Sequence, residues 1–175
     1  MMSPGQSCRR RAFTMAEAAV CIVIVGVMLV AVLNAAAFAR TVDYRMAMRQ
    51  RGMLLARELL AEVTAQAYAD PESGTAVFGL EAGETGTGSR ALWDDVDDYD
   101  GLNESPPRDR DGTDMSDLAE WKWQVRIERL SSSNPTLTVA SESGLKLCTV
   151  IVSRNGQPVA RLASVRSAAW IVNSL

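Results

Sequence analysis

Histidine is absent from this chain of 175 residues. Because histidine is the commonest general base and the commonest metal ligand near neutral pH, its absence removes the usual residues of most hydrolases and zinc sites. The sequence also carries no serine nucleophile motif of the Gly-x-Ser-x-Gly type and no pair of carboxylates in a supporting catalytic motif. We therefore predict that the chain is not an enzyme and that it needs no organic cofactor.

Cysteine is scarce, being limited to Cys8, Cys21 and Cys148. Cys21 lies inside a long apolar run and Cys8 precedes it, so Cys148 has no partner for a disulfide in the C-terminal part of the chain. A catalytic cysteine needs a base beside it. The neighbours of Cys148, in Lys-Leu-Cys-Thr-Val-Ile-Val, instead indicate a strand in which it acts as a small apolar side chain.

Positive charge is not concentrated anywhere in the C-terminal part. The formal net charge is −3, and no basic stripe with interleaved aromatic residues is visible. Proteins that bind nucleic acid usually carry such a stripe, because it neutralises phosphates. We predict no nucleic-acid partner.

The chain does contain one long run without charge, at residues 18–39. As a helix rising about 1.5 Å per residue, its roughly 21 apolar residues span about 31 Å, which matches the hydrocarbon core of a bilayer. Three arginines at positions 9–11 precede it and favour a cytoplasmic N-terminus, with the C-terminal body on the other side. We predict one transmembrane helix over residues 13–39.

Glu17 stands at the edge of this apolar run. A carboxylate there opposes insertion into lipid, so it needs an explanation. One explanation is helix capping, because Thr14 and Glu17 have capping-box spacing and a carboxylate suits the positive end of a helix dipole. The other is that Glu17 pairs with a cation supplied by an assembly.

Residues 12–17, Ala-Phe-Thr-Met-Ala-Glu, followed by the apolar run, resemble the processing motif of type IV prepilins and pseudopilins. The resemblance implies that a prepilin peptidase cuts between Ala12 and Phe13 and methylates the new Phe13 amine, which makes residues 1–12 a cytoplasmic leader. It also implies that Glu17, fifth in the mature chain, pairs with the charged N-terminus of a neighbouring subunit. The implied partners are the peptidase, other pilins or pseudopilins, and an assembly platform in the bacterial inner membrane. The family's usual residue before the cut is glycine, where this chain has Ala12.

A secreted protein is the alternative to the anchored one. Arg10-Arg11-Ala12-Phe13 resembles the twin-arginine export motif, and Ala37-Phe38-Ala39 has the form of a signal-peptidase site, which would give a soluble protein beginning at Arg40. The apolar run is longer than the core of a signal peptide, about 7–15 residues, and this alternative gives Glu17 no role. The anchored protein is therefore preferred.

The sequence after residue 39 predicts an α+β fold. Apolar residues recur at helical steps and predict an amphipathic helix over residues 40–69 that continues the span, with a stripe formed by Val42, Met46, Met53, Ala56, Leu60, Val63 and Ala67. Residues 70–175 form the predicted head. In the head, alternation predicts strands at Trp121–Leu130 and Leu145–Arg154, an Asn155-Gly156 turn leads into a strand at Gln157–Val165, and Thr136–Ala140 could add a short edge strand. The predicted architecture is the long helix packed on an antiparallel sheet of three to four strands.

An acidic loop is predicted at residues 94–117, a segment that contains ten acidic residues and only two arginines. Such density usually indicates a solvated loop. The alternative is a calcium site, because Asp109, Asp111, Asp114 and Asp117, with a turn glycine at position 112, are loosely similar to a calcium-binding loop. Both interpretations stay open.

The same segment carries a second resemblance. Asp94-Asp95-Val96-Asp97-Asp98-Tyr99 is similar to the acidic signature of the D-type minor pilins of mannose-sensitive haemagglutinin pili. This implies a minor pilin present in few copies. A pilus and a secretion pseudopilus are both left open, as is a tethered module that binds calcium or a surface and is not built into a filament.

Overall fold

The computed structural model describes residues 14–71, 78–81, 83, 84, 86 and 88–168. One long helix, α1 (Met15–Ala65), is followed by four strands: β1 (Asn103–Glu104), β2 (Trp121–Arg129), β3 (Leu145–Arg154) and β4 (Gln157–Ser167). Two single-turn 3₁₀ helices lie at Asp97–Tyr99 and Ser116–Leu118. The predicted α+β class, a long helix with a small antiparallel sheet, is confirmed.

The chain divides into two compact units, Met1–Arg45 and Met46–Leu175. In the first unit the described residues are the first part of α1, preceded by Thr14. In the second unit, which is called the head from here on, the remainder of α1 packs against the sheet and buries Gly52, Leu55, Ala56, Leu59 and Val63. These positions recur at three- and four-residue steps, as one face of a helix must.

The predicted apolar stripe was partly wrong. Ala56 and Val63 are buried as expected, but Met46 and Met53 are exposed, and the buried face instead runs through Gly52, Leu55 and Leu59. Gly52 explains why the buried face is rotated about the helix axis relative to the predicted stripe. A Cβ atom at position 52 would lie 2.9 Å from Val159 Cγ1 and 3.4 Å from the Trp121 ring. The sheet approaches the helix at this glycine, where the backbone leaves room for it.

The sheet has the order β1-β2-β3-β4, and every neighbouring pair is antiparallel. Trp121, Trp123, Val125 and Ile127 are buried on one face of β2, as their alternation predicts. Asn155 and Gly156 join β3 to β4 with φ values of 50° and 75°, the left-handed pair that a two-residue hairpin turn requires. The β3–β4 register shifts between Val152 and Ser153.

The fourth strand is not the predicted one. Thr136–Ala140 contributes only a single bridge, between Thr138 and Leu130. The strand beside β2 is instead β1, which lies within the acidic segment and pairs Asn103 with Gln124 and Glu104 with Trp123. A two-residue strand carries too little pattern to be recognised in a sequence.

The expectation of a solvated acidic loop is wrong for much of residues 94–117. Asp95, Asp97 and Asp98 are each only 1% exposed, and Glu104 is 9% exposed. Val96, Tyr99 and Leu102 from the same segment belong to the hydrophobic core, so burying them draws the intervening acids inside. Buried carboxylates need partners, and those partners define the polar interior of the head.

Candidate functional site

The N-terminal end of α1 has the capping geometry that the sequence predicts. The backbone N–H and the hydroxyl of Thr14 both donate to Glu17 Oε2, at 3.0 and 3.1 Å, and the N–H of Glu17 donates to Thr14 Oγ1 at 3.3 Å. This reciprocal pair satisfies backbone donors that a helix start leaves free. The Glu17 side chain stays exposed, so the carboxylate remains accessible to a further partner.

The first part of α1 presents apolar side chains on all sides. Every residue from 14 to 41 is exposed, including large side chains such as Ile22 (73%), Val23 (65%) and Phe38 (71%). An apolar surface of this extent indicates contact with lipid or with other proteins. The part of the chain that the structure describes has one helix long and apolar enough to cross a membrane, and it lies near the N-terminus, consistent with a single-pass membrane protein. The predicted cleavage and methylation residues, Ala12 and Phe13, lie outside the described residues.

A buried arginine joins α1 to the acidic segment. Arg90 is 1% exposed, and its Nε donates to Glu62 Oε1 at 3.0 Å, while its Nη1 donates to the two carboxylate oxygens of Glu104 at 3.0 and 2.9 Å. Its Nη2 donates to the Arg108 carbonyl at 3.1 Å. The Trp123 indole N–H donates to Glu104 at 2.7 Å, and the Tyr99 hydroxyl donates to Glu62 at 3.0 Å. Burial and the neighbouring Glu62 carboxylate raise the pKa of the Tyr99 hydroxyl, so Tyr99 acts as a donor.

A buried lysine neutralises a second acid of the segment. Lys146 on β3 is fully buried; its Nζ forms an ion pair with Asp97 and donates to the Tyr68 carbonyl at 2.5 Å. The ammonium also lies 4.4 Å from the centre of the Tyr68 ring. Such a pair is well satisfied only while both partners are present.

Three further carboxylates lie close together in the head. Glu81, Glu84 and Asp98 each place one oxygen within 4.8 Å of the others. Burial, followed by the Glu84, Asp98 and Asp95 carboxylates, raises the pKa of Glu81 to about 7. Burial also raises the pKa of Asp98 to about 6, although the backbone hydrogen bonds that Asp98 accepts act in the opposite direction.

The four acids of the sequence-predicted calcium loop are not gathered into one site. Asp114 pairs with Arg108 at 2.7 Å, and Asp117 pairs with Arg51 of α1 at 2.5 Å. Asp109 Oδ1 accepts the N–H of Thr113 at 2.7 Å, which closes a turn, and Asp111 is exposed. Calcium at these residues stays a prediction, and the structure gives the carboxylates of Asp109, Asp114 and Asp117 other partners.

Sequence reasoning missed Arg90, Lys146 and the group of three carboxylates. A signal for Lys146 was present, because it stands at two-residue steps from Cys148, Val150 and Val152 and so lies on the inward face of a strand. No comparable signal marks Arg90 or Glu81, since their partners are far away in sequence.

Comparison with protein families, with curated proteins and with solved structures gives no match.

Proposed function

We propose that this chain is a pilin-like subunit, a minor pilin or a pseudopilin, that a prepilin peptidase processes and that assembles into a type IV pilus or a type II secretion pseudopilus through its N-terminal helix. Its partners are the peptidase, other pilins or pseudopilins, and an inner-membrane assembly platform. Before assembly it spans the bacterial inner membrane once, with the N-terminus in the cytoplasm and the head outside. The motif at residues 12–17 supports the processing step.

One observation carries the proposal. The first part of α1 is apolar and exposed on every side, yet it begins with an accessible carboxylate at Glu17. A simple membrane tether gains only the helix cap from Glu17, and it pays for the cap with the free energy of an acid near the hydrocarbon. A filament subunit gains a partner for it when the amine of the next subunit lies alongside.

The architecture agrees with this role. The same continuous helix α1 that carries the apolar part also supplies Gly52, Leu55 and Leu59 to the core of the head. A head that is built around the end of its own membrane helix cannot separate from that helix without exposing its core. A subunit held in a filament by its helix requires this type of connection.

The mature N-terminus tests the processing step. We expect mass spectrometry of the protein from its native cells to find a chain that begins at a methylated Phe13. A chain that begins at Arg40 would establish the secreted alternative, and a chain that retains residues 1–12 would contradict the proposal.

Two substitutions of Glu17 test the assembly step. Glu17→Gln keeps the capping box, in which glutamine also serves at this position, but removes the charge. An amine left without its partner in lipid costs about 2.5 kcal/mol or more. We therefore expect the amount of the Glu17→Gln and Glu17→Ala proteins in sheared filaments to be tenfold or more below that of the wild type. The amount of each variant in the membrane fraction should stay normal.

Thr14→Val is the matched control. It removes the Thr14 hydroxyl from the cap but keeps the Glu17 charge. If capping alone explains Glu17, Thr14→Val reduces incorporation and Glu17→Gln does not, and the proposal is wrong. The tethered binding module is favoured if every variant reaches the membrane and none is ever found in a filament.

A further inference from the structure

We propose that Glu81, Glu84 and Asp98 form a binding site for a hard divalent cation, and that calcium is the ion that fits it best. The site differs from the loop at residues 109–117 that the sequence suggests. It belongs to the head alone and does not depend on the proposed assembly.

The geometry of the three carboxylates suits one shared ion. Calcium takes six to eight oxygen ligands at about 2.3–2.6 Å, so two oxygens on opposite sides of the ion lie about 4.8 Å apart. One oxygen each from Glu81, Glu84 and Asp98 falls within 4.8 Å of the other two. Distances of this size are compatible with three oxygens that belong to one coordination shell.

Asp98 supplies an independent observation, because it is 1% exposed and only half of its carboxylate is used. Its Oδ2 accepts the N–H groups of Asp94 and Asp95, both at 3.0 Å. Its Oδ1 is buried without a hydrogen-bond partner, and so is Glu81 Oε1. A buried carboxylate oxygen without a partner is unfavourable, and two of the three residues of the group carry such an oxygen. A cation bound by these side chains is the type of partner that such an oxygen lacks.

No lysine or arginine is paired with Glu81, Glu84 or Asp98 among the residues that the structure describes. The two buried basic side chains near the segment are already engaged, Lys146 with Asp97 and Arg90 with Glu62 and Glu104. The protein thus neutralises Asp97 and Glu104 of the acidic segment with its own cations, whereas Asp98 and the half-buried Glu81 and Glu84 are left to repel one another. A bound divalent ion would remove most of that repulsion.

The ligand types select the ion. The group consists of carboxylates, without histidine or cysteine, which suits calcium or magnesium and not zinc or copper. Calcium is preferred over magnesium because it accepts irregular coordination, with water or carbonyl oxygens completing the shell, whereas magnesium requires a nearly ideal octahedron at about 2.0–2.1 Å. Calcium modules outside the cytoplasm bind with dissociation constants of about 10⁻⁴–10⁻³ M, and we expect a value in that range.

The full chain in detergent micelles is the sample for the test. We expect equilibrium dialysis with radioactive calcium to find one bound ion per chain, and 10 mM calcium to raise the thermal unfolding midpoint of the head relative to EDTA. Loss of an outer hydrogen-bond partner already weakens metal sites about 10–100-fold, so Glu81→Gln and Glu84→Gln should each weaken calcium binding by at least tenfold. Both variants should unfold in EDTA at a midpoint equal to or above that of the wild type, because each removes a repelling charge.

Asp111→Asn is the matched control, since Asp111 is an exposed acid of the sequence-predicted loop. It should bind calcium as the wild type does. The proposal is overturned if the wild type binds no calcium at millimolar concentrations. That result would mean that shared protons, and not a cation, relieve the repulsion among the three carboxylates. It is equally overturned if Asp111→Asn abolishes binding while Glu81→Gln and Glu84→Gln leave it intact.

Discussion

The buried Arg90 network allows a quantitative prediction for the stability of the head. Arg90→Met removes the only cation in contact with both Glu62, which is 20% exposed, and Glu104, which is 9% exposed, among the described residues. Removing one partner of a buried ion pair typically costs about 3–5 kcal/mol, because the remaining charge stays buried without compensation. Total stabilities are about 5–15 kcal/mol, so we expect this variant to lose a large fraction of the free energy of unfolding.

Denaturant unfolding followed by tryptophan fluorescence measures this loss, because Trp93, Trp121 and Trp123 are all buried in the folded head. Arg126→Ala is the matched control: it removes an arginine that is also paired with an acid, Glu128 at 3.3 Å, but is 72% exposed. Exposed pairs contribute about 0–1 kcal/mol, so the control should change the free energy of unfolding by no more than that.

A double-mutant cycle separates the loss of the pair from the general loss of packing. Glu104→Gln can still accept the Trp123 N–H, but it has no charge that the loss of Arg90 would leave unpaired. If the buried charge causes the loss, Arg90→Met should cost at least about 1 kcal/mol less in the Glu104→Gln background than in the wild type. Equal costs in the two backgrounds, or an Arg90→Met cost no larger than that of Arg126→Ala, would refute the electrostatic reasoning.

Two further predictions concern the interior of the head. Gly52→Leu should destabilise the head by about 1–3 kcal/mol in the same unfolding assay, because the new side chain must displace Val159. Val159→Ala should recover part of this loss. Full stability of Gly52→Leu would show that the sheet does not approach the helix closely at this position. Burial raises the pKa of the Cys148 thiol to about 12, so the reactive thiolate form is scarce at pH 8. In a variant with Cys8→Ser and Cys21→Ser, maleimide should therefore label Cys148 only after denaturation, and equally fast labelling of the folded protein would contradict its burial.

The regular elements of this fold were predictable from local patterns. The alternation of WKWQVRIERL and LKLCTVIVSR predicts β2 to within one residue and β3 at its observed bounds, and Asn155-Gly156 marks the hairpin between β3 and β4. In these segments the two-residue periodicity and the turn residues favour the same strands and hairpin that the tertiary packing stabilises.

The acidic segment was not predictable in the same way, because its fate depends on partners that are distant in sequence. Asp97 is 49 positions from Lys146, and Arg90 is 28 positions from Glu62. A count of charges within residues 94–117 cannot include these cations, so the segment looks too acidic to be buried. The group of Glu81, Glu84 and Asp98 was missed for the same reason, because two of its members lie outside the segment that the charge density singled out.

The outer strand β4 has a consequence for how two copies of the head could meet in the filament proposed above. At eleven residues it is the longest strand at a border of the sheet, and a long border strand can pair with the same strand of a second molecule. Pro158 removes a backbone donor there, Arg161 places an exposed charge along the strand, and the irregular register beside Ser153 distorts its flatness. These features discourage fusion of neighbouring heads into a shared sheet, so that contact between copies is left to surfaces other than this one.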